Sequence, residues 1–260
     1  AGTLVVSMSP PSRRGAHYER WLADYARRSI RPPVPAATAV LLRQSAGGVE
    51  TLLLRRSPDL PVMGGVWVFP GGRVDPTDRA AADNPDDRYE VARIAAVRET
   101  EEEAGLQVDP RSLVRFSHWT PPPDFDHQLA TWFFVAAAPP GAVRVDGREI
   151  AEHIWLSPAE AIGRHTESGG TWFLPPTYVT LHELQGFTTV GDMLAAAKRR
   201  EPMFYDTRLA ATRDGEEVAL WQGDAGYESA DPDVPGARHR LWASEGIPWR
   251  LERSGGSGLT

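Results

Sequence analysis

A cluster of glutamates at helical spacing is the sequence feature that most constrains this chain. The stretch from Arg98 to Leu106 reads Arg-Glu-Thr-Glu-Glu-Glu-Ala-Gly-Leu. At about 100° per residue, Glu99, Glu102 and Glu103 fall on one side of a helix, as neighbours at i, i+3 and i+4 do. Gly105 supplies the left-handed residue that commonly ends a helix. The stretch therefore predicts a helix whose last turns carry concentrated negative charge.

The opposite side of this predicted helix is apolar. Ile94, Val97 and Ala104 lie there, so we expect this side to pack into a core. Like charges at such spacing destabilise a helix slightly, and a hard divalent cation with oxygen ligands would offset the repulsion. A solvated, glutamate-rich face is the alternative interpretation.

The composition excludes several classes of function. The chain has 260 residues, a formal net charge of -7 and no cysteine. An acidic balance argues against a general nucleic-acid binder, which relies on basic surfaces, and the lack of cysteine excludes disulfides and thiolate chemistry. No apolar run approaches the roughly 20 residues of a membrane span, so we expect a soluble, cytoplasmic protein with no membrane partner. Lys198 is the only lysine among 28 lysines and arginines, which suggests a GC-rich bacterial genome.

The glutamate stretch belongs to a longer pattern that resembles the Nudix box, the signature of hydrolases that cleave diphosphates linking a nucleoside to another moiety. Phe69-Pro70-Gly71-Gly72 precede the stretch, and Glu90 lies eight residues before Arg98, as the family pattern requires. Seventeen residues separate Gly72 from Glu90, where the box has five. We interpret residues 73–89, which are rich in Asp, Pro and Ala, as an inserted surface loop.

This resemblance implies metal-assisted hydrolysis. Glu99, Glu102 and Glu103 would hold one to three Mg²⁺ or Mn²⁺ ions, which would lower the pKa of the attacking water. Its proton would pass to a box glutamate, Glu102 or Glu103, or to a carboxylate farther along the chain, Glu149 or Glu152. The remaining box residues are predicted to be structural, namely Glu90 at the helix start, Arg98, which can reach carboxylates in the preceding segment, and Gly105.

The segment before the box bears on the substrate. Its residues Leu52, Leu53, Arg56, Ser57, Gly65 and Phe69 to Gly72 match a motif of coenzyme A diphosphatases. The arrangement is similar to the peroxisomal branch of these enzymes, which also carries a long insertion in the box. Pro61 and Val62 stand near the positions where the motif has arginine. The predicted substrate contacts are Arg56, Ser57, Phe69, Gly71 and Gly72. Trp119 and Phe125 are available to stack on a base. For Arg55 and Arg56, the alternative interpretation is that they lie at a solvated strand end.

Three hypotheses for the function follow from the resemblance. The first is a coenzyme A or acyl-coenzyme A diphosphatase that yields 3′,5′-ADP and phosphopantetheine or its acylated form. The second is a diphosphatase for ADP-ribose or NADH, which the missing arginine near Pro61 favours. The third is a Nudix domain that binds a nucleotide or a protein partner without catalysis; it ranks last because all three box glutamates are present. Each of the substrates considered is a small molecule. Members of the family tend to form homodimers, so a homodimer is expected here.

The fold implied by the resemblance is α/β, a Nudix α/β/α sandwich with a mixed, curved sheet. We expect an N-terminal arm and helix over residues 1–33, the Nudix core over 34–165, and a helical and β extension over 166–260 that packs on the core. Within the core, strands are predicted at 36–42, 49–55, 66–69, 106–108, 114–119, 129–137 and 153–156. Helices are predicted from about 88 to 104, from 158, over 178–184 and from about 190 to 199.

Overall fold

A mixed eight-stranded sheet forms the centre of the computed structural model of this chain. The structure describes residues 33–122, 129–168, 172–244 and 247–254. The predicted N-terminal arm and helix, up to residue 32, and the aromatic Phe125 lie outside these residues. The strands of the sheet are β1 (Val34–Ser45), β2 (Gly48–Arg56), β3 (Trp67–Val68), β4 (Gly71–Arg73), β5 (Val114–Thr120), β6 (Leu129–Ala137), β7 (Ile150–Leu156) and β8 (Met203–Asp206).

The sheet combines antiparallel hairpins with two parallel contacts. Its strand order is β3-β2-β1-β6-β5-β8, while β4 pairs with β1 and β7 pairs with β2. The pairs β1–β6 and β5–β8 are parallel, and the others are antiparallel. Gly71 and Gly72 therefore lie in a strand beside Thr38 and Ala37 of β1. From the sequence, Gly71 and Gly72 are expected to form a loop after the strand at 66–69, but with Arg73 they form a short strand.

Both faces of the sheet are covered, which explains why β1 is an almost continuous apolar run. Alternate residues of β1 point to opposite sides, so Ala37 and Leu41 join one core while Val40 and Leu42 join the other. The helices are α1 (Pro76–Ala81), α2 (Arg88–Ala104), α3 (Pro158–Glu167), α4 (Pro175–Leu184) and α5 (Val190–Arg199). Residues of α2 pack with the first core, and residues of α3, α4 and α5 pack with the second. The predicted α/β/α sandwich with a mixed sheet is confirmed.

Helix α2 has the predicted start and end. The Asp87 carboxylate caps it by accepting hydrogen bonds from the backbone N–H groups of Tyr89 and Glu90, and Gly105 ends it with a φ of 65°. The predicted apolar face was partly right, because Ala104 is buried and the half-buried Val97 packs against the core, whereas Ile94 is half-buried outside it. The fully buried positions also include three alanines that the prediction left out, Ala92, Ala95 and Ala96. Small side chains let the helix lie close to the sheet.

The C-terminal part of the chain contributes to the main sheet and also forms a sheet of its own. Strand β8 extends the edge beside β5, and β9 (Arg208–Ala211), β10 (Glu217–Leu220), β11 (His239–Trp242) and β12 (Arg250–Arg253) form a four-stranded antiparallel sheet. The strand predicted at 106–108 does not form. Within the described ranges, none of the helices combines the length and apolar character needed to cross a membrane.

Candidate active site

Glu103 is the most deeply buried of the box glutamates. Its residue is 5% exposed, and one carboxylate oxygen accepts a 2.9 Å hydrogen bond from the backbone N–H of Gly71. The pKa of Glu103 is raised to about 8, chiefly by burial and also by the nearby carboxylates of Glu99 and Glu149, while the hydrogen bond from Gly71 and the charge of Arg56 act to lower it. In the protein without a bound cation, this carboxyl therefore holds a proton near neutral pH.

Glu99 lies against the next glycine of the same strand. A Cβ atom added at Gly72 would come within 2.4 Å of the Glu99 carboxylate carbon. Burial raises the pKa of Glu99, and the carboxylates of Glu102 and Asp78 add to this, while the charge and hydrogen bond of Arg98 act in the opposite direction. The two glycines of β4 thus hold two carboxylates of α2 at one point of the sheet.

Arg98 connects the other box glutamates. One of its terminal nitrogens lies 2.9 Å from a Glu99 oxygen and 2.9 Å from a Glu102 oxygen. The Glu102 side chain is 59% exposed, so its carboxylate is free to rotate into solvent. Glu90 has a structural position, since its carboxylate accepts hydrogen bonds from the backbone N–H groups of Asp83 and Asn84.

The glycines of β4 allow a direct test of this arrangement. A Gly72→Ala substitution should lower activity by about 10-fold or more and raise the Mg²⁺ concentration needed for half-maximal activity, because the new methyl group displaces Glu99. Its unfolding free energy should change little, because a side-chain end can move. Gly71→Ala is the contrasting variant, since its Cβ would lie 2.4 Å from the backbone oxygen of Ala37 and should cost about 1–3 kcal/mol of stability. Full activity of Gly72→Ala at unchanged Mg²⁺ would contradict this account.

The end of β2 adds a cation and a further carboxylate to the site. Arg56 and Glu149 both act electrostatically on Glu103, and the backbone N–H of Ser57 donates a 2.7 Å hydrogen bond to the Glu149 carbonyl oxygen. The Nε atom of Arg56 is buried and makes no hydrogen bond within the described part of the chain. The structure therefore brings Arg56 and Glu149 within electrostatic range of Glu103, and it joins Ser57 to Glu149 through the backbone.

Glu152, the alternative to Glu149, lies elsewhere. The pairing of β2 with β7 shifts register between Arg55 and Arg56, so that Arg55 faces Glu152 and Arg56 faces Ile150. The Glu152 carboxylate forms a 2.7 Å ion pair with Arg55. This bulge separates the two predicted carboxylates, and Glu149 alone is near Glu103.

Two predicted substrate contacts are core residues. Trp119 is 4% exposed and stacks on Tyr205 with ring centroids 3.8 Å apart, so the prediction that it is available to a base is wrong. Phe69 is 3% exposed and packs edge-on against Phe133 at 6.2 Å, so it anchors the strand and cannot touch a ligand directly. The aromatic partners of both side chains come from distant segments of the chain.

Asp78 is a residue of the site region that the sequence interpretation missed. It lies in α1, inside the insertion, and is 2% exposed. Its two carboxylate oxygens accept hydrogen bonds of 2.8 and 3.0 Å from Arg98. The insertion is thus not only a surface loop, because it supplies the buried partner of the box arginine. The sequence signal that could have identified Asp78 is the capping box formed by Asp75 and Asp78 around Pro76, because this pattern predicts a helix start.

The donor set fits a hard divalent cation. Glu99 and Glu103 offer carboxylate oxygens whose pKa values are raised by burial and by neighbouring carboxylates, so a cation would relieve their mutual repulsion. Among the described residues, no three acidic or histidine side chains are already gathered as a ligand set. Instead, the Arg98 guanidinium binds Glu99 and Glu102.

Comparisons with known proteins agree with this geometry. A family model described as NUDIX domain matches residues 32–176. The structure of a NUDIX hydrolase from Alicyclobacillus acidocaldarius is similar with a TM-score of 0.57 and 22% identity, over 64% of this chain and 97% of that one. A C. elegans Ap4A hydrolase in a binary complex has 27% identity and a TM-score of 0.37 over 53% and 91% of the two chains. No curated protein sequence gives a significant match.

The chain belongs to the NUDIX domain family. Within this family it is a hydrolase that acts on phosphorus-containing anhydrides, with the three box glutamates in place. Nudix hydrolases generally use divalent metal ions.

Proposed function

We propose that the protein cleaves the diphosphate bond of a nucleoside diphosphate linked to another moiety, and that coenzyme A or an acyl-coenzyme A is its preferred substrate. The observation that carries the general reaction is the meeting of Glu99 and Glu103 at the glycines of β4, with Arg56 and Glu149 close enough to act on Glu103. This arrangement combines oxygen ligands for a cation, a cation for the phosphates and a carboxylate base.

Glu99, Glu102 and Glu103 would hold Mg²⁺ or Mn²⁺ through carboxylate oxygens. When bound, such ions screen phosphate charge and make an attacking water more acidic. Glu99 and Glu102 bind Arg98 in the structure, so loading requires their carboxylates to turn from Arg98. Arg98 keeps Asp78 as a partner during this change, so its charge stays compensated.

The remaining residues would bind the diphosphate and move the proton. Arg56 has an unpaired Nε donor at the site and would bind a phosphate oxygen. Glu149 is exposed and lies near Glu103, so it would accept the proton of the attacking water. The water oxygen bonds to one phosphorus as the bond to the bridging oxygen breaks, and that oxygen leaves on the other phosphate. The two products are phosphate monoesters.

The choice of coenzyme A rests on the resemblance around Arg56 and Ser57. A second candidate, ADP-ribose or NADH, is favoured by Pro61 and Val62, which stand where the coenzyme A motif has arginine. A homodimer is proposed from the family tendency, and light scattering on the purified protein would measure it.

A hydrolysis panel tests the proposal. Coenzyme A, an acyl-coenzyme A, ADP-ribose, NADH and a dinucleoside polyphosphate are each incubated with Mg²⁺ or Mn²⁺, and the products are separated by chromatography. We expect coenzyme A species to be cleaved fastest, Glu102→Gln to be inactive, and Glu101→Gln, whose exposed side chain accepts a hydrogen bond from Gln107, to keep full activity. Faster cleavage of ADP-ribose or NADH would overturn the substrate assignment but keep the reaction. No cleavage in the whole panel would contradict the proposed reaction.

A further inference from the structure

The face of the sheet on which α2 packs is only partly covered in the part of the chain that the structure describes. Helix α2 mainly contacts β1 and β4, whereas α3, α4 and α5 pack with the core on the opposite face. The strand β8 is the edge of the sheet beyond β5. Its residues Phe204 and Asp206, which alternate with the buried Tyr205, are exposed on the α2 side. This face is therefore open over β5 and β8.

An aromatic row crosses this open area. Trp132 of β6, His118 of β5 and Phe204 of β8 are direct cross-strand neighbours, and Ala37 of β1 continues the row towards α2. The ring centroids are 4.6 Å apart for His118 and Trp132 and 5.7 Å apart for His118 and Phe204. Trp132 is 9% exposed and contacts Tyr89 of α2, whereas Phe204 at the sheet edge is 46% exposed. The row is thus buried beside α2 and uncovered at β8.

The open area has the width of one helix. Neighbouring strands lie about 4.7–4.9 Å apart, so the row from β6 to β8 spans roughly 10 Å. An α-helix with its side chains is about 10–12 Å across. A helix that lies beside α2 would therefore cover the row and complete this layer of the sandwich. Its contact face would be aromatic or aliphatic, because the row consists of rings.

The sequence has a segment of this character next to the row. Within residues 17–30, large apolar side chains recur at helical spacing, namely Tyr18, Trp21, Leu22 and Tyr25. They predict an amphipathic helix with an aromatic side, and this segment lies outside the residues that the structure describes. Strand β1 begins at Val34, which is 43% exposed and lies three residues, roughly 10 Å, before Ala37 at the inner end of the row. Residues 31–33 thus suffice to connect the predicted helix with the open area.

We propose that residues 17–30 form a helix that packs beside α2 on the row of Trp132, His118 and Phe204. The occupant is this segment of the same chain, because its attachment close to the row gives it a high effective concentration there, which a second copy lacks. A helix over residues 17–30 is about 21 Å long, and Phe204 is only about 14 Å from β1 across the sheet. Through Trp132, which contacts Tyr89, the helix would also support the first turn of α2. The inference does not depend on the proposed reaction.

Cross-linking between introduced cysteines tests this packing in the full chain, because the chain has no cysteine of its own. A short bis-maleimide linker is used, since the backbones of a packed helix and sheet are farther apart than the roughly 7 Å that a disulfide spans. We expect Leu22→Cys with Phe204→Cys to cross-link within one chain at least about 10-fold faster than two control pairs. The first control, Asp24→Cys with Phe204→Cys, moves one thiol about 200° around the predicted helix. The second, Leu22→Cys with Ile247→Cys, uses a similarly exposed apolar residue beside Trp249, which packs with the core on the opposite face.

Hydrogen exchange gives a second measurement that needs no linker. In Phe204→Asp, the backbone amides of residues 17–30 should exchange about 10-fold or more faster than in wild type, because the helix loses its packing surface. The amides of β1 and β6 should exchange as before, since the Phe204 side chain is nearly half exposed. Ile247→Asp should leave the exchange of residues 17–30 unchanged. Equal cross-linking rates for the three pairs, cross-links between two chains instead of within one, or exchange of residues 17–30 that does not respond to Phe204→Asp would each overturn the inference.

Discussion

A Glu103→Gln variant is expected to lose about 10²- to 10⁴-fold in kcat/KM for its best diphosphate substrate at saturating Mg²⁺. Glutamine fills nearly the same volume and can still accept the hydrogen bond from the Gly71 N–H, so the fold should persist. It cannot supply the negative charge that a cation requires. Glu101→Gln, on the exposed side of the same helix, should change the rate by less than about twofold.

The same variant should change how stability depends on pH in EDTA. The pKa of Glu103 is about 8 in the folded protein and 4.5 for an ordinary glutamate, so between these values the folded state holds a proton that the unfolded state has released. This stabilisation is fully present below pH 4.5 and is lost as pH rises through about 8. Inside the window, wild type should lose up to about 1.4 kcal/mol per pH unit relative to Glu103→Gln.

Urea unfolding of both proteins at several pH values gives this difference directly. Titrating groups that do not interact with Glu103 contribute equally to wild type and variant, so subtraction leaves the contribution of Glu103 and of the carboxylates coupled to it, Glu99 and Glu149. Mg²⁺ should stabilise the wild type more as pH rises, because a ligand carboxylate must first lose its proton. Parallel pH profiles for the two proteins in EDTA would contradict the assignment of a protonated Glu103.

Local signals explain why the sequence predicted much of the fold. Asp87 caps α2 and Gly105 ends it through contacts with residues a few positions away, so both boundaries are encoded within the helix. The strands β1, β2, β5 and β6 coincide with apolar segments, and turn-forming residues lie at the ends of these segments. The burial of α2 was harder to predict, because the close approach of α2 to β4 makes Ala92, Ala95 and Ala96 the inner face and leaves Ile94 half-buried.

The site depended more on contacts between distant segments. The sequence identified Glu99, Glu102 and Glu103 but not which of Glu149 and Glu152 approaches them, because one register shift between β2 and β7 decides that. Trp119 is buried in the core and cannot stack on a base, because Tyr205, far along the chain, covers its ring. Such partners follow from strand pairing and cannot be derived from spacing within one segment.

Arg98→Met is expected to destabilise the protein by about 3–5 kcal/mol, the usual range when a buried ion pair loses one partner. The Asp78 side chain is 1% exposed, and after this substitution its carboxylate would keep, among the described residues, the 2.7 Å hydrogen bond from the backbone N–H of Asp75 and no cation. Chemical denaturation at constant pH measures the loss. The control is Arg111→Met, because Arg111 and its partner Asp109 are exposed, and the loss of an exposed ion pair should change stability little.

A double variant, Asp78→Leu with Arg98→Met, separates the structural role of this pair from its role at the site. Removing both charges leaves no buried ion, so much of the stability lost in Arg98→Met should return, as it often does when a hydrophobic pair replaces a buried ion pair. Activity at limiting Mg²⁺ should stay low, because Glu99 and Glu102 still lack the guanidinium that holds them near each other. If the double variant were as unstable as Arg98→Met, burial of Asp78 would not be the cause. If it recovered full activity as well as stability, Arg98 would serve only the fold, and the inserted helix α1 would have no part in positioning the box glutamates.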